Sequence, residues 1–482
     1  MHAIQNQHCD RACNCLEDRE LVSCPRAFAK TSCGRAMIVL ALAWGGHDAL
    51  ADPSREAAES QLRRFAGQHI VLFTDLPATA SLEELPRVVD QAVPQWAAYF
   101  GVPPAKAAKW RLTGYIMRDR AWFSQVGLLP ADLPPFPEGY QRDDRFWLVE
   151  QPSEYYRRHL LLHEATHGFA DWVRLGVGSP WFREGTAEFL ATHRWDQQRL
   201  TLGFFPRQRE EVPEWGRIKL IRDAIAAGRR RGAREVMLTD LKAYPSTEVY
   251  AWSWGLSMFL ERHPRYREPL RQWRSEAFSD STSKSHALIK GNLKGDSHAM
   301  DPLETRYDGA FRELEEEWRL FVDDLEYGYE IENHAIEFVA SRPLPAGGAE
   351  AVVQANRGWQ STGYRLAAGE RYRLTAKGRF QIAQSAADDS GSTGPTPWWS
   401  EPQGVTIRYH RGQPLGMLLA AMWDEKPQAE GADEPGWHAP QPIGAGALLV
   451  PTRSGSLYLL LNDSPAERSA NRGEVQVRIE PD

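Results

Sequence analysis

The run His163-Glu164-Ala165-Thr166-His167 constrains this chain more than any other stretch. Two histidines four apart share one face of a helix, so both imidazoles can grip one ion, and zinc suits such ligands. The fold must then bring a further ligand to that face. The intervening glutamate points at the open coordination position, where it can take a proton from a water. The next informative segment is Trp181-Phe182-Arg183-Glu184-Gly185-Thr186-Ala187-Glu188. Ser179 is a good N-cap and Pro180 suits the first helical position, which predicts a second helix. Glu184 and Glu188 share a face of it. Glu184 is placed to be the third protein ligand, leaving a fourth position for water. Glu188 can accept a hydrogen bond from the outer nitrogen of a ligating histidine and fix its tautomer.

Between Tyr155 and Arg194 the sequence resembles the gluzincin metallopeptidases, such as thermolysin and the aminopeptidase N family. They carry a third ligand in a W-x-x-E-G-x-A or N-E-A type segment after a gap of similar size, often with an acidic residue four positions later. The resemblance implies metal-assisted hydrolysis of a peptide bond, with zinc as cofactor and Glu164 as general base. It also implies a small sheet above the metal whose edge strand holds an extended substrate; Phe146-Trp147-Leu148-Val149 is the candidate. Tyr250 begins an apolar helix in Val249-Tyr250-Ala251-Trp252, similar to the helix start that supplies the transition-state tyrosine in aminopeptidase N relatives. The G-x-M-E-N segment that anchors a free N-terminus in those relatives is not visible before the motif helix. Endo- and exo-cleavage both remain open.

Composition bounds the rest. The 482 residues are 42% hydrophobic with a net charge of −7, which is long enough for two or three domains and gives no support to a nucleic-acid partner. Cys9, Cys13, Cys15, Cys24 and Cys33 all precede residue 34. Ala36–Trp44 is a short apolar run with Arg26, Lys30 and Arg35 upstream and Ala49-Leu50-Ala51 after it. This reads as a secretory signal with a long leading region, too short in its apolar part for a stable membrane span. A mis-set translation start is the competing reading. A mature chain from Asp52 would contain no cysteine.

Along the chain, His69–Thr74, Trp110–Met117 and Phe146–Val149 read as strands and Leu82–Phe100 as a helix. Leu128–Gly139 is proline-rich and belongs to a loop. Ser153 caps the motif helix and Gly176 ends it. Tyr250–His263 and Asp301–Tyr329 read as helices, with a Ser/Lys/Gly-rich loop at Ser279–Ser297. From 335 to 482 alternating apolar runs replace helix: Tyr372–Ile382, Val405–Tyr409, Leu415–Ala420, Ala447–Val450, Ser456–Leu461 and Val475–Ile479. Such spacing argues for a β-sandwich. Ser385–Pro397 and Pro427–Pro442 are the loops between strands.

The last strands, through Asn462-Asp463-Ser464-Pro465 and Asn471-Arg472-Gly473, resemble the end of the PA-IL type of calcium-dependent galactose lectin. Asp463 and Asn471 fall on that family's calcium-ligand positions. Ala470 stands where a second side-chain ligand is expected and Ile382 where the family uses a tyrosine, so the resemblance implies a degraded calcium and glycan site. Trp398 and Trp399 are candidates for stacking on a sugar.

The expectation is an α+β chain: an export segment at 1–51, a gluzincin-type zinc peptidase domain at 52–330, and an all-β sandwich at 335–482 that folds alone. The expected function is an exported, periplasmic or extracellular, zinc metallopeptidase. It acts on a peptide or protein, with a cell-surface or extracellular glycan as a second partner. The alternative is a secreted carbohydrate-binding or structural zinc protein with little or no turnover.

Overall fold

In the computed structural model the described residues are 53–173, 179–240, 246–279, 303–307, 309–384, 397–424 and 436–482. The five cysteines, the export segment, Gly176 and the loop at 385–396 lie outside them. Among the described residues no helix is long and apolar enough to cross a membrane. Asp52–Asp482 forms one compact unit that mixes helices with several sheets.

The N-terminal part is built on a five-stranded sheet. Its strands are β1 (Arg63–Ala66), β2 (Ile70–Thr74), β3 (Leu112–Met117), β4 (Gly139–Arg142) and β5 (Arg145–Val149), in the order β1-β2-β3-β5-β4. The pairs β2–β3 and β3–β5 are parallel; β1–β2 and β4–β5 are antiparallel hairpins at the two edges. Phe146 and Leu148 of β5 belong to the core shared with the helices, while Trp147 faces the opposite core with Tyr115 and Phe123. Two-sided burial explains the unbroken apolar run here. It also corrects the sequence reading. The strand at Phe146 is internal, and the edge is β4, Gly-Tyr-Gln-Arg, whose residues carry no apolar alternation.

The motif helix, Glu154–Trp172, packs against β4 and β5 of the sheet. Ser153 accepts the Tyr156 N–H as its N-cap, and the helix stops at Trp172 with Val173 as C-cap, short of the expected Gly176. Trp110 Nε1 donates to the Gly168 carbonyl at 3.3 Å, and a Cβ on Gly168 would meet Leu112 Cδ1 at 2.9 Å. The ligand helix, Pro180–Ala191, packs on it and on the apolar helix Thr247–Arg262. Gly185 permits that approach: a Cβ there would sit 2.5 Å from the Ser253 carbonyl oxygen. The long helix expected over Asp301–Tyr329 is divided. A short 3-10 turn at Glu304–Tyr307 precedes Gly309, whose φ of +77° breaks helical continuity, and the helix proper runs Phe311–Asp323.

After the short helix Ile331–His334 the described residues form strands and their connections, with one 3-10 turn at Arg468–Ala470. One sheet includes Gln403–His410, Gln413–Trp423, Gly455–Leu461 and Gln360–Leu366. A four-stranded sheet orders Gly446–Leu449, Tyr372–Lys377, Glu474–Pro481 and Ala349–Gln354. Strict alternation in Glu474–Pro481 turns Val475, Val477 and Ile479 into a core shared with Leu374, Leu418, Leu457 and Leu459. Gly455–Leu461 is buried throughout because Tyr458 points the other way, into a cluster with Ile336, Trp423 and Trp437 against Leu320 of the helical part. The expected run Tyr372–Ile382 is two strands, with Phe380–Gln384 pairing instead with Pro397–Ser400.

Candidate metal site

The helix periodicity delivers what the spacing implies. His163 and His167 lie one turn apart on the motif helix, and Glu184 comes from the first turns of the ligand helix. His163 Nε2 and His167 Nε2 are 3.1 Å apart, and Glu184 Oε2 is 3.3 Å from the first and 3.2 Å from the second. Donors about 2.0–2.1 Å from a tetrahedral zinc lie roughly 3.3–3.4 Å from each other. The triangle fits such an ion closely. Without a proton or a metal ion between them, two imidazole lone pairs and a carboxylate at these separations would repel; a cation removes the repulsion.

The electrostatics agree with the geometry. Burial opposes a charge on His163, but Glu184 and Glu188 outweigh it and push its pKa up to about 10. Burial would raise Glu184, yet His167 and His163 hold it far below the carboxylate range. Burial foremost lowers the pKa of His167 instead, so the carboxylates favour a positive charge at His163 alone. Glu164 is 6% exposed. Burial first, with Glu184 and Glu188 adding, lifts its pKa to about 7 against the pull of His163 and Arg183.

Glu188 sits behind the metal face. Its Oε1 is 3.2 Å from His163 Nδ1, as the spacing suggested. Its other neighbours were not read from the sequence. His159 Nε2 lies 3.3 Å from Glu188 Oε2, and Arg217 donates through Nε (2.9 Å) and Nη2 (3.0 Å) to the two carboxylate oxygens. His159 had a signal, since it precedes His163 by one helical turn. Arg217 had none: it stands 29 residues beyond Glu188. Burial favours a neutral Glu188, but Arg217 foremost, then His159 and His163, keep it ionised well below the usual range.

The roof of the site is β4. A Cβ on Gly139 would lie 2.6 Å from Glu164 Oε1, so the edge strand lies directly against the Glu164 carboxylate. The adjacent Glu138 accepts from Tyr156 Oη at 2.7 Å. From the other side, the Tyr250 ring lies edge-on to His163 at 6.0 Å between centroids. The structure therefore gathers His163, Glu164, His167, Glu184, Glu188 and Tyr250 in one place.

Asp463 and Asn471 also meet, but in a different chemical setting. Asn471 Nδ2 donates to Asp463 Oδ2 at 2.8 Å, and the Ser464 N–H donates to Oδ1 at 2.7 Å. Both residues are at most 1% exposed. Arg468, 4% exposed, donates to the Asp463 carbonyl and places a guanidinium beside the carboxylate. Ile382 is buried in the sandwich core. Trp398 and Trp399 lie on a strand rather than in a loop; Trp398 packs on the core, whereas Trp399 is 47% exposed with Arg379 5.1 Å from its ring centroid.

No family model and no curated protein matches the sequence. Among solved structures, the EclA N-terminal domain, described as a PllA-like lectin, aligns at 19% identity and a TM-score of 0.18, covering 28% of this chain and 95% of its own. At that TM-score the β-part stands on its own residues.

Proposed function

We propose that this chain is an exported zinc-dependent peptidase of gluzincin type. The donor triangle of His163, His167 and Glu184 beside a buried Glu164 is the observation that carries the reading. A zinc bound there would polarise the scissile carbonyl and acidify a water.

The chain's own residues supply the remaining chemistry. Glu164 takes the water's proton and delivers it to the leaving amine. Tyr250, against His163, donates to the developing oxyanion. The edge of β4, unpaired among the described residues, pairs with an extended peptide, and Gly139 lets the scissile bond come level with Glu164. A structural zinc site has no use for a base at its open position, so Glu164 favours turnover over a purely structural metal. The β-part, with Trp399 exposed, supports a glycan as a second partner.

Glu164→Gln tests this. The variant keeps zinc and fold but loses most hydrolysis of a pool of quenched-fluorescence peptides, because an amide cannot accept the proton. Unchanged turnover removes Glu164 from the mechanism.

A further inference from the structure

The polar network behind the metal face is more elaborate than a histidine needs for orientation. Glu188 is 1% exposed and Arg217 5% exposed, so this ion pair is out of water. Each Glu188 oxygen has two neighbours: Oε1 accepts from Arg217 Nη2 and lies beside His163 Nδ1, while Oε2 accepts from Arg217 Nε and lies beside His159 Nε2. The guanidinium is itself fixed. Its Nη1 donates to the Trp215 carbonyl at 3.0 Å, and Trp215 is buried. Gly216, at φ +64°, turns the chain from Trp215 into the helix Arg217–Ala226. His159 is pinned from its far side, with Nδ1 3.1 Å from the carbonyl of Ala191 at the end of the ligand helix.

We infer that Arg217, with His159, is a positioning clamp that sets the metal affinity of the site by holding the Glu188 carboxylate against His163. The inference rests on the metal reading above. The planar fork fixes the carboxylate in two dimensions, which a point charge cannot do. With the fork removed, Glu188 is free to swing toward His159, and His163 loses the acceptor that orients its ring. His159 and His163 both face Glu188, so a second metal at His159, His163 and Glu188 would have to displace Arg217 from a buried bidentate pair. The clamp therefore also directs the ion to the Glu184 side.

The test measures zinc affinity of the full-length protein by competition with a chelator, alongside thermal melting of the metal-free form. Arg217→Met should weaken zinc roughly 10- to 100-fold, the range for losing a partner of a ligating histidine. Arg217→Lys should fall in between, keeping charge without the fork. The decisive comparison is a double-mutant cycle. On a Glu188→Gln background, Arg217→Met should cost little further affinity, because the two act as one unit.

If wild type and Arg217→Met bind zinc equally, or if the two losses simply add, the clamp is refuted while the metal site stands. If wild type itself binds no zinc, the proposed function fails instead. Should Arg217→Met not fold, Arg217→Lys and His159→Gln are read the same way, and wild-type affinity in both overturns the inference.

Discussion

Gly139→Ala separates the catalytic geometry from the fold. The added Cβ would stand 2.6 Å from Glu164 Oε1, 3.3 Å from its Cδ and 2.8 Å from Leu148 Cδ2. Ordinary contact needs roughly 3.5 Å, so the carboxylate must retreat by about 1 Å. Both obstructing groups are ends of flexible side chains, and alanine loses less backbone freedom than glycine in a strand. Stability should therefore change by less than about 1 kcal/mol. A catalytic group misplaced by about 1 Å costs about 100-fold in rate. That is about 2.7 kcal/mol of transition-state stabilisation. The loss should fall on kcat, with zinc content and melting temperature preserved. Steady-state hydrolysis of a quenched peptide pool reads the effect, with metal analysis on the same sample. On a Glu164→Gln background the same alanine should cost nothing more. Wild-type turnover by Gly139→Ala, or equal losses on both backgrounds, would refute the contact between the edge strand and the base.

Three further outcomes follow from the same structure. Tyr250→Phe should lower kcat roughly 10²- to 10³-fold with zinc and KM unchanged; full activity would leave Tyr250 a packing partner of His163. Asp463 tests the β-part. Burial, against the opposing effects of Asn471, Arg468 and the Ser464 N–H, raises its pKa to about 6. The folded state thus binds the proton more tightly than the unfolded chain, where an aspartate titrates near 3.9. The stability this gives is complete below about pH 4 and lost as pH rises through about 6. Its size is about 3 kcal/mol. Asp463→Asn should recover part of that at about pH 7, less about 1 kcal/mol for a hydrogen bond lost when Asn471 turns from the Ala355 carbonyl. The gain should shrink toward pH 4, and denaturant titrations at both pH values check it. Calorimetry should find no micromolar calcium affinity, since Arg468 already supplies the positive charge beside that carboxylate; tight calcium binding would contradict this.

How much was legible follows from the range of each interaction. His163, His167, Glu184 and Glu188 are related by helical turns, so spacing alone put each pair on one face. His159 obeys the same rule and was available to it. Arg217 and Gly139 reach the site through tertiary packing, which leaves no periodic trace. The edge strand was hidden for a further reason: Gly139–Arg142 follows a proline-rich stretch and has one buried residue, Gln141, so alternation was absent. The same loss of contrast hid Gln360–Leu366, a polar strand interrupted by a bulge. Conversely, Leu457–Leu461 announced itself because both of its faces are covered. The Asp301 helix was overextended because amphipathic spacing continues past Gly309, where the backbone cannot.

Metal content of the purified protein decides whether His163, His167 and Glu184 hold a zinc ion. About one zinc per chain is expected in wild type and in Glu164→Gln. Most of that zinc should be lost in His163→Ala, His167→Ala and Glu184→Ala, each still folded by circular dichroism. A wild-type protein that takes up no zinc at micromolar concentration, or a His163→Ala variant that retains it fully, would contradict the account.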